Sequence, residues 1–93
     1  MDIPTVHLLI KGKVQGVFYR KTAREVANDK GLTGWVRNTN DGNVEITASG
    51  TKEALQAFIK WCRMGPARAT VTSVEVTPVP DQHFATFEVK RNI

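Results

Sequence analysis

The chain has 93 residues, 41% of them hydrophobic, and carries 13 Lys and Arg against 9 Asp and Glu, for a formal charge of +4. That length suits a single domain over residues 1–93 with a small core; with no stretch near the roughly 20 apolar residues of a membrane span and no basic-then-apolar export signal, a soluble, cytoplasmic protein without a membrane partner is expected. The basic residues form no block, so an ordinary solvated surface with some attraction for anions accounts for the charge.

From Thr5 to Val14, the residues Val6, Leu8, Ile10 and Val14 alternate with His7, Leu9, Lys11 and Lys13, and this period of two predicts a half-buried strand. The period changes over Thr22 to Lys30, where Ala23, Val26 and Ala27 share one helical face and Gly31 supplies a stop. Two strands, Thr33 to Thr39 and Asn43 to Ser49, flank Asn40-Asp41-Gly42, a hairpin signal because Asp-Gly tolerates positive φ. In the second of these Val44, Ile46 and Ala48 point one way. A second helix opens with Thr51 as N-cap and Glu53 in its first turn, places Ala54, Leu55, Phe58, Ile59, Trp61 and Cys62 in an apolar stripe, and ends at Gly65-Pro66. A strand over Thr70 to Thr77, a turn at PVPDQH and a last strand over Phe84 to Lys90 complete the chain. The order β-α-β-β-α-β, with a further short strand where Pro78 and Pro80 break the last segment, is the split βαβ or ferredoxin-like α+β arrangement. It predicts two helices on one face of an antiparallel sheet.

Familiar catalytic sets are absent. Cys62 is the only cysteine and the histidines are His7 and His83, too few for a usual zinc ligand set, and no Walker loop or nucleophile elbow occurs. His7 reads as an outward strand residue, His83 as a turn residue and Cys62 as core filling. The segment GKVQGVFYRKTA, Gly12 to Ala23, remains. A strand running into a helix N-terminus through Gly16, which is free to adopt φ > 0, lets consecutive backbone N–H groups converge where the helix dipole also favours negative charge, and Arg20 adds a planar donor fork matched to phosphate. A tight turn followed by a surface arginine fits the same residues. Asn38, taken alone, fits a turn cap before the hairpin.

Together the two segments resemble the acylphosphatase family. Gly12, Val14-Gln15-Gly16-Val17, Tyr19 and Arg20 fill its first signature, and Gly34-Trp35-Val36, Asn38, Gly42, Val44 and Gly50 its second, in order along the whole chain. The resemblance implies a small cytoplasmic enzyme that hydrolyses the carboxyl–phosphate bond of acyl phosphates without a metal or other cofactor. Its phosphate-binding loop would be Gln15, Gly16, Val17, Phe18, Tyr19 and Arg20, with Arg20 and Asn38 catalytic, Asn38 positioning the attacking water. The expected partners are a small acyl phosphate and inorganic phosphate, the latter as product and competitive inhibitor, acting on a monomer. The RNA recognition motif shares the element order, but the strand NVEITASG carries no aromatic platform, so no nucleic-acid partner is expected. A silent module of the same type that delivers an acyl or carbamoyl phosphate is usually fused to other domains, whereas this sequence runs to Ile93.

Overall fold

A computed structural model describes residues 4–91. Its elements are β1 (Thr5–Lys13), α1 (Tyr19–Asp29), β2 (Thr33–Asn38), β3 (Val44–Ser49), α2 (Lys52–Met64), β4 (Thr70–Val79) and β5 (Phe87–Val89). They form one five-stranded sheet in the order β4-β1-β3-β2-β5, with the helices packed on it. This is the ferredoxin-like α+β arrangement with an added edge strand.

The alternation read from the sequence sets which face is covered. Leu8, Ile10, Val36, Val44, Ile46 and Ala48 are all fully buried, and the register Leu8↔Ile46, Ile10↔Val44 and Val36↔Ile46 brings them side by side across three strands. Each aliphatic side chain removed from water in this way contributes on the order of 1.5–3 kcal/mol. On the opposite face His7 from β1, Arg37 from β2 and Glu45 from β3 form one hydrogen-bonded cluster, with Nε2 of His7 2.7 Å and Nε of Arg37 2.5 Å from the Glu45 carboxylate.

Helix α1 begins at Tyr19 rather than at Thr22, so the tyrosine and Arg20 belong to its first turn instead of the loop. The reason is burial at i, i+4 spacing: Tyr19, Ala23 and Ala27 line one stripe, and the two alanines let the helix lie close to the sheet. Helix α2 is as expected. The Thr51 hydroxyl accepts from the Ala54 N–H at 3.1 Å, Leu55, Phe58 and Cys62 face the core, and the chain leaves through Gly65. Phe58 stacks on Trp61 and meets Phe87 edge-on, the ring centroids being 6.2 and 6.0 Å apart.

The sheet is mixed, which corrects the expectation of a purely antiparallel one: β5 runs parallel to β2. Connectivity dictates this. Strand β4 ends beside the start of β1, with Val79 opposite Thr5, and the following loop passes under that end of the sheet, where the Gln82 N–H donates to the Thr5 hydroxyl and the Gln82 carbonyl accepts from Ser49. The chain therefore arrives at the end from which β2 starts and can only run alongside it in the same direction. The last strand is also shorter than Phe84 to Lys90, although Gly34 N–H to Thr86 O (3.0 Å) and Lys90 N–H to Val36 O (2.8 Å) extend its pairing at both ends. Pro78 lies within β4 rather than in a separate strand, tolerated because β4 is an edge. Gly34 has φ 140° and passes so close to β3 that a Cβ there would lie 1.9 Å from the Thr47 carbonyl oxygen, which accounts for that glycine in the second signature.

Candidate active site

The ends of β1, β2 and β5 and the first turn of α1 meet at one end of the sheet. Between β1 and α1 the loop alternates its handedness: Gly16 has φ 75°, and Phe18, immediately before the helix, has φ 62° and ψ 23°. Alternation of this kind makes a backbone concavity whose N–H groups suit an anion. Among the described residues, the N–H groups of Gly16, Val17 and Phe18 have no acceptor, and those of Tyr19 and Arg20 open a helix and have none within it.

The loop is pinned from below. Val17 is buried, and the Tyr19 ring lies against Trp61 at 5.3 Å with its hydroxyl donating to the Cys62 carbonyl at 2.8 Å. That carbonyl would ordinarily accept from the residue four positions on, which is Pro66 and has no N–H; the tyrosine takes its place. Burial first, and the adjacent Cys62 second, push the Tyr19 hydroxyl far above its ordinary range. Burial likewise pushes the Cys62 thiol up to about 12, and the side chain is wholly inaccessible, so it fills core and is no nucleophile.

Arg20 and Asn38, 18 residues apart in sequence, line the same cleft of about 420 Å³ together with Gly16, Phe18 and Val89. One Arg20 nitrogen donates to the Lys90 carbonyl at 3.2 Å, which fixes the guanidinium while leaving most of its donor fork for another partner. Asn38 closes the other side: its Oδ1 is buried and has no hydrogen-bond partner among the described residues. A buried acceptor left without a donor costs on the order of 1–3 kcal/mol.

The side chains of the loop are not equivalent. Gln15 does not face the cleft; its Nε2 donates to the carbonyls of Thr39 and Asn43, at 2.8 and 2.7 Å, tying the loop to the β2–β3 hairpin just beyond Asn38. Tyr19 and Val17 turn their side chains into the core. Two cations unnoticed in the sequence, Lys21 and Arg24, line the cleft, and among the described residues no carboxylate does. Arg24 was findable, since it follows Arg20 by four residues on one helix; the Lys90 carbonyl was not, because any residue carries one. Among the described residues no cluster of three or more His, Cys, Asp and Glu could hold a metal ion, and no helix is long and apolar enough to cross a membrane.

A family model described as Acylphosphatase matches residues 6–89, a span that contains the whole cleft. The chain belongs to the acylphosphatase family. It is 49% identical over 88 residues to the acylphosphatase of Marinobacter nauticus, covering 94% of this chain and 96% of that protein. The acylphosphatase of Methylococcus capsulatus is 46% identical over 89 residues, 95% of this chain and 97% of its own. The solved structure of an acylphosphatase from Coxiella burnetii superposes with a TM-score of 0.92 at 34% identity, over 96% of this chain and 94% of that one. Membership makes the chain an enzyme of acyl phosphate hydrolysis.

Proposed function

We propose that hydrolysis runs in the Arg20–Asn38 cleft, without a metal, on a cytoplasmic monomer, with the loop amides of Gly16 to Arg20 and the Arg20 guanidinium holding the phosphate and Asn38 holding the water. The observation that carries the reading is the meeting in one cleft of the Arg20 guanidinium, bonded through one nitrogen to the Lys90 carbonyl, and a buried Asn38 amide oxygen that has no partner among the described residues, none of which brings a carboxylate to the cleft.

The reaction needs little else. Water attacks phosphorus, the bond from phosphorus to the acyl oxygen breaks, and the carboxylate leaves with the electron pair. Carboxylates have pKa values of about 4, so this leaving group departs without a proton and no histidine or carboxylic acid is required. Transfer passes through a loose transition state in which positioning and charge stabilisation dominate, and fixed N–H groups with a guanidinium supply both. The Asn38 oxygen accepts one water O–H and aims the lone pair in line; the amide is no base. A phosphate oxygen of the substrate takes the transferred proton, and the other stays on the attacking oxygen, so both end on inorganic phosphate.

Inorganic phosphate, having the same charged oxygens as the substrate, should inhibit competitively. The direct test is turnover of benzoyl phosphate after exhaustive chelation, with phosphate as inhibitor. Undiminished turnover with competitive inhibition is expected; turnover restored only by added divalent metal, or purely noncompetitive inhibition, would overturn the reading.

A further inference from the structure

Among the described residues, Phe18 is the one residue other than glycine with positive φ, and at 69% exposure it is also the most exposed of the large hydrophobic side chains. Both features are unfavourable by themselves. The left-handed region crowds Cβ against the backbone, and an exposed ring leaves apolar area in water. The turn into α1 requires the left-handed backbone but does not require a benzyl group, and glycine, used two positions earlier at Gly16, would carry the same geometry without either cost. Nor does the ring contribute to the core; it stands at the wall of the cleft shared by Arg20 and Asn38.

With the phosphate held by the loop amides and Arg20, the acyl group of a substrate must project toward the rest of the cleft wall. That wall is apolar at Phe18, Val14 and Val89 and cationic at Lys21 and Arg24. A cleft of about 420 Å³ exceeds what a phosphate group fills and falls within the range of roughly 300–1,000 Å³ that accepts drug-sized molecules. We propose that the Phe18 ring is the acyl-group contact of this site and makes the enzyme select aromatic over small aliphatic acyl phosphates, an inference that rests on acyl phosphate hydrolysis in this cleft. Flat aromatic acyl groups gain most from an exposed ring, because offset stacking adds to the apolar area removed from water.

The test compares kcat/KM for benzoyl, acetyl and succinyl phosphate in the wild type, Phe18→Gly and Phe18→Tyr. Glycine accepts the left-handed backbone, so folding of that variant is not at risk. The wild type is expected to prefer benzoyl phosphate to both other substrates, the benzoyl-to-acetyl ratio to fall about fivefold to tenfold in Phe18→Gly, as suits the loss of one stacking partner, and Phe18→Tyr to retain it. A ratio unchanged in Phe18→Gly overturns the proposal while leaving hydrolysis itself intact. So does a wild-type preference for succinyl phosphate, which would give selection to Lys21 and Arg24. Failure of the wild type to hydrolyse any of the three overturns this proposal and the functional reading together.

Discussion

Gln15 reaches across 24 residues of sequence to donate its side-chain amide to the Thr39 carbonyl at 2.8 Å, one position past Asn38. Its second N–H goes to the Asn43 carbonyl at 2.7 Å on the other arm of the same hairpin. The residue thereby spaces the β1–α1 loop from the strand end that carries Asn38. Gln15→Ala should leave the loop amides and Arg20 in place yet allow Asn38 to drift, and misplacement on the scale of 1 Å costs about a hundredfold in such sites. Expected is a fall in kcat of roughly tenfold to a hundredfold, with the inhibition constant of inorganic phosphate changing much less. A loss confined to phosphate affinity would make Gln15 a ligand instead of a spacer.

Tyr19 does for α2 what Pro66 cannot. Removing its hydroxyl leaves the Cys62 carbonyl buried without a donor, which costs about 1–3 kcal/mol. Tyr19→Phe should lower the unfolding free energy by that amount, read as a lower denaturation midpoint at constant m, since the ring and its contact with Trp61 stay. A midpoint equal to the wild type would mean that the carbonyl finds another donor.

Much of this architecture was legible in the residues. Period-two runs such as Leu8-Ile10 and Val44-Ile46-Ala48 identified strands and the faces they bury, and the signatures singled out Arg20 and Asn38, which line one cleft. What could not be read depends on the end of the sheet to which a segment is delivered. The parallel pairing of β5 with β2 follows from the Gln82 loop passing under Thr5 and Ser49, a contact between residues more than 30 positions apart. Local pattern misplaced the start of α1 as well, since an aromatic between a glycine loop and an arginine looks like loop until its i+4 partners, Ala23 and Ala27, are found buried with it. The Gln15 bonds run to backbone carbonyls, which carry no side-chain signal.

The cluster on the open face of the sheet predicts acid sensitivity. Burial favours the neutral form of Glu45, but hydrogen bonds from His7 and Arg37, reinforced by their charges, outweigh it and hold the carboxyl below its ordinary value of 4.5. In the unfolded chain that carboxyl binds a proton at higher pH than in the folded one, so its contribution is complete above the unfolded value and is lost as pH falls through the folded one. Glu45→Gln should therefore lower Tm near neutrality by roughly a few degrees, and the gap from the wild type should close as pH drops below about 4. A gap constant from neutrality to acid would show that the carboxylate charge contributes nothing.

The proposed mechanism gives Arg20 a part in both binding and turnover, and Asn38 a part in turnover alone. Arg20 supplies a planar fork oriented by the Lys90 carbonyl, and a lysine's point charge cannot reproduce two parallel bonds to one phosphate. Arg20→Lys should weaken inorganic phosphate and lower kcat together, and Arg20→Ala should do both more severely. Asn38→Ala keeps Arg20 and the loop amides, so phosphate affinity should remain near that of the wild type, while the water loses the acceptor that aims it. Loss of one such transition-state group costs about two to three orders of magnitude in kcat. Asn38→Asp should also fail, because a carboxylate beside the phosphate adds like-charge repulsion. If Asn38 served only as a turn residue before Asp41-Gly42, the alanine variant would instead melt lower and turn over normally per folded molecule. Phosphate affinity, Tm and kcat measured on one Asn38→Ala preparation decide between these outcomes, and normal turnover with reduced Tm would remove Asn38 from the mechanism.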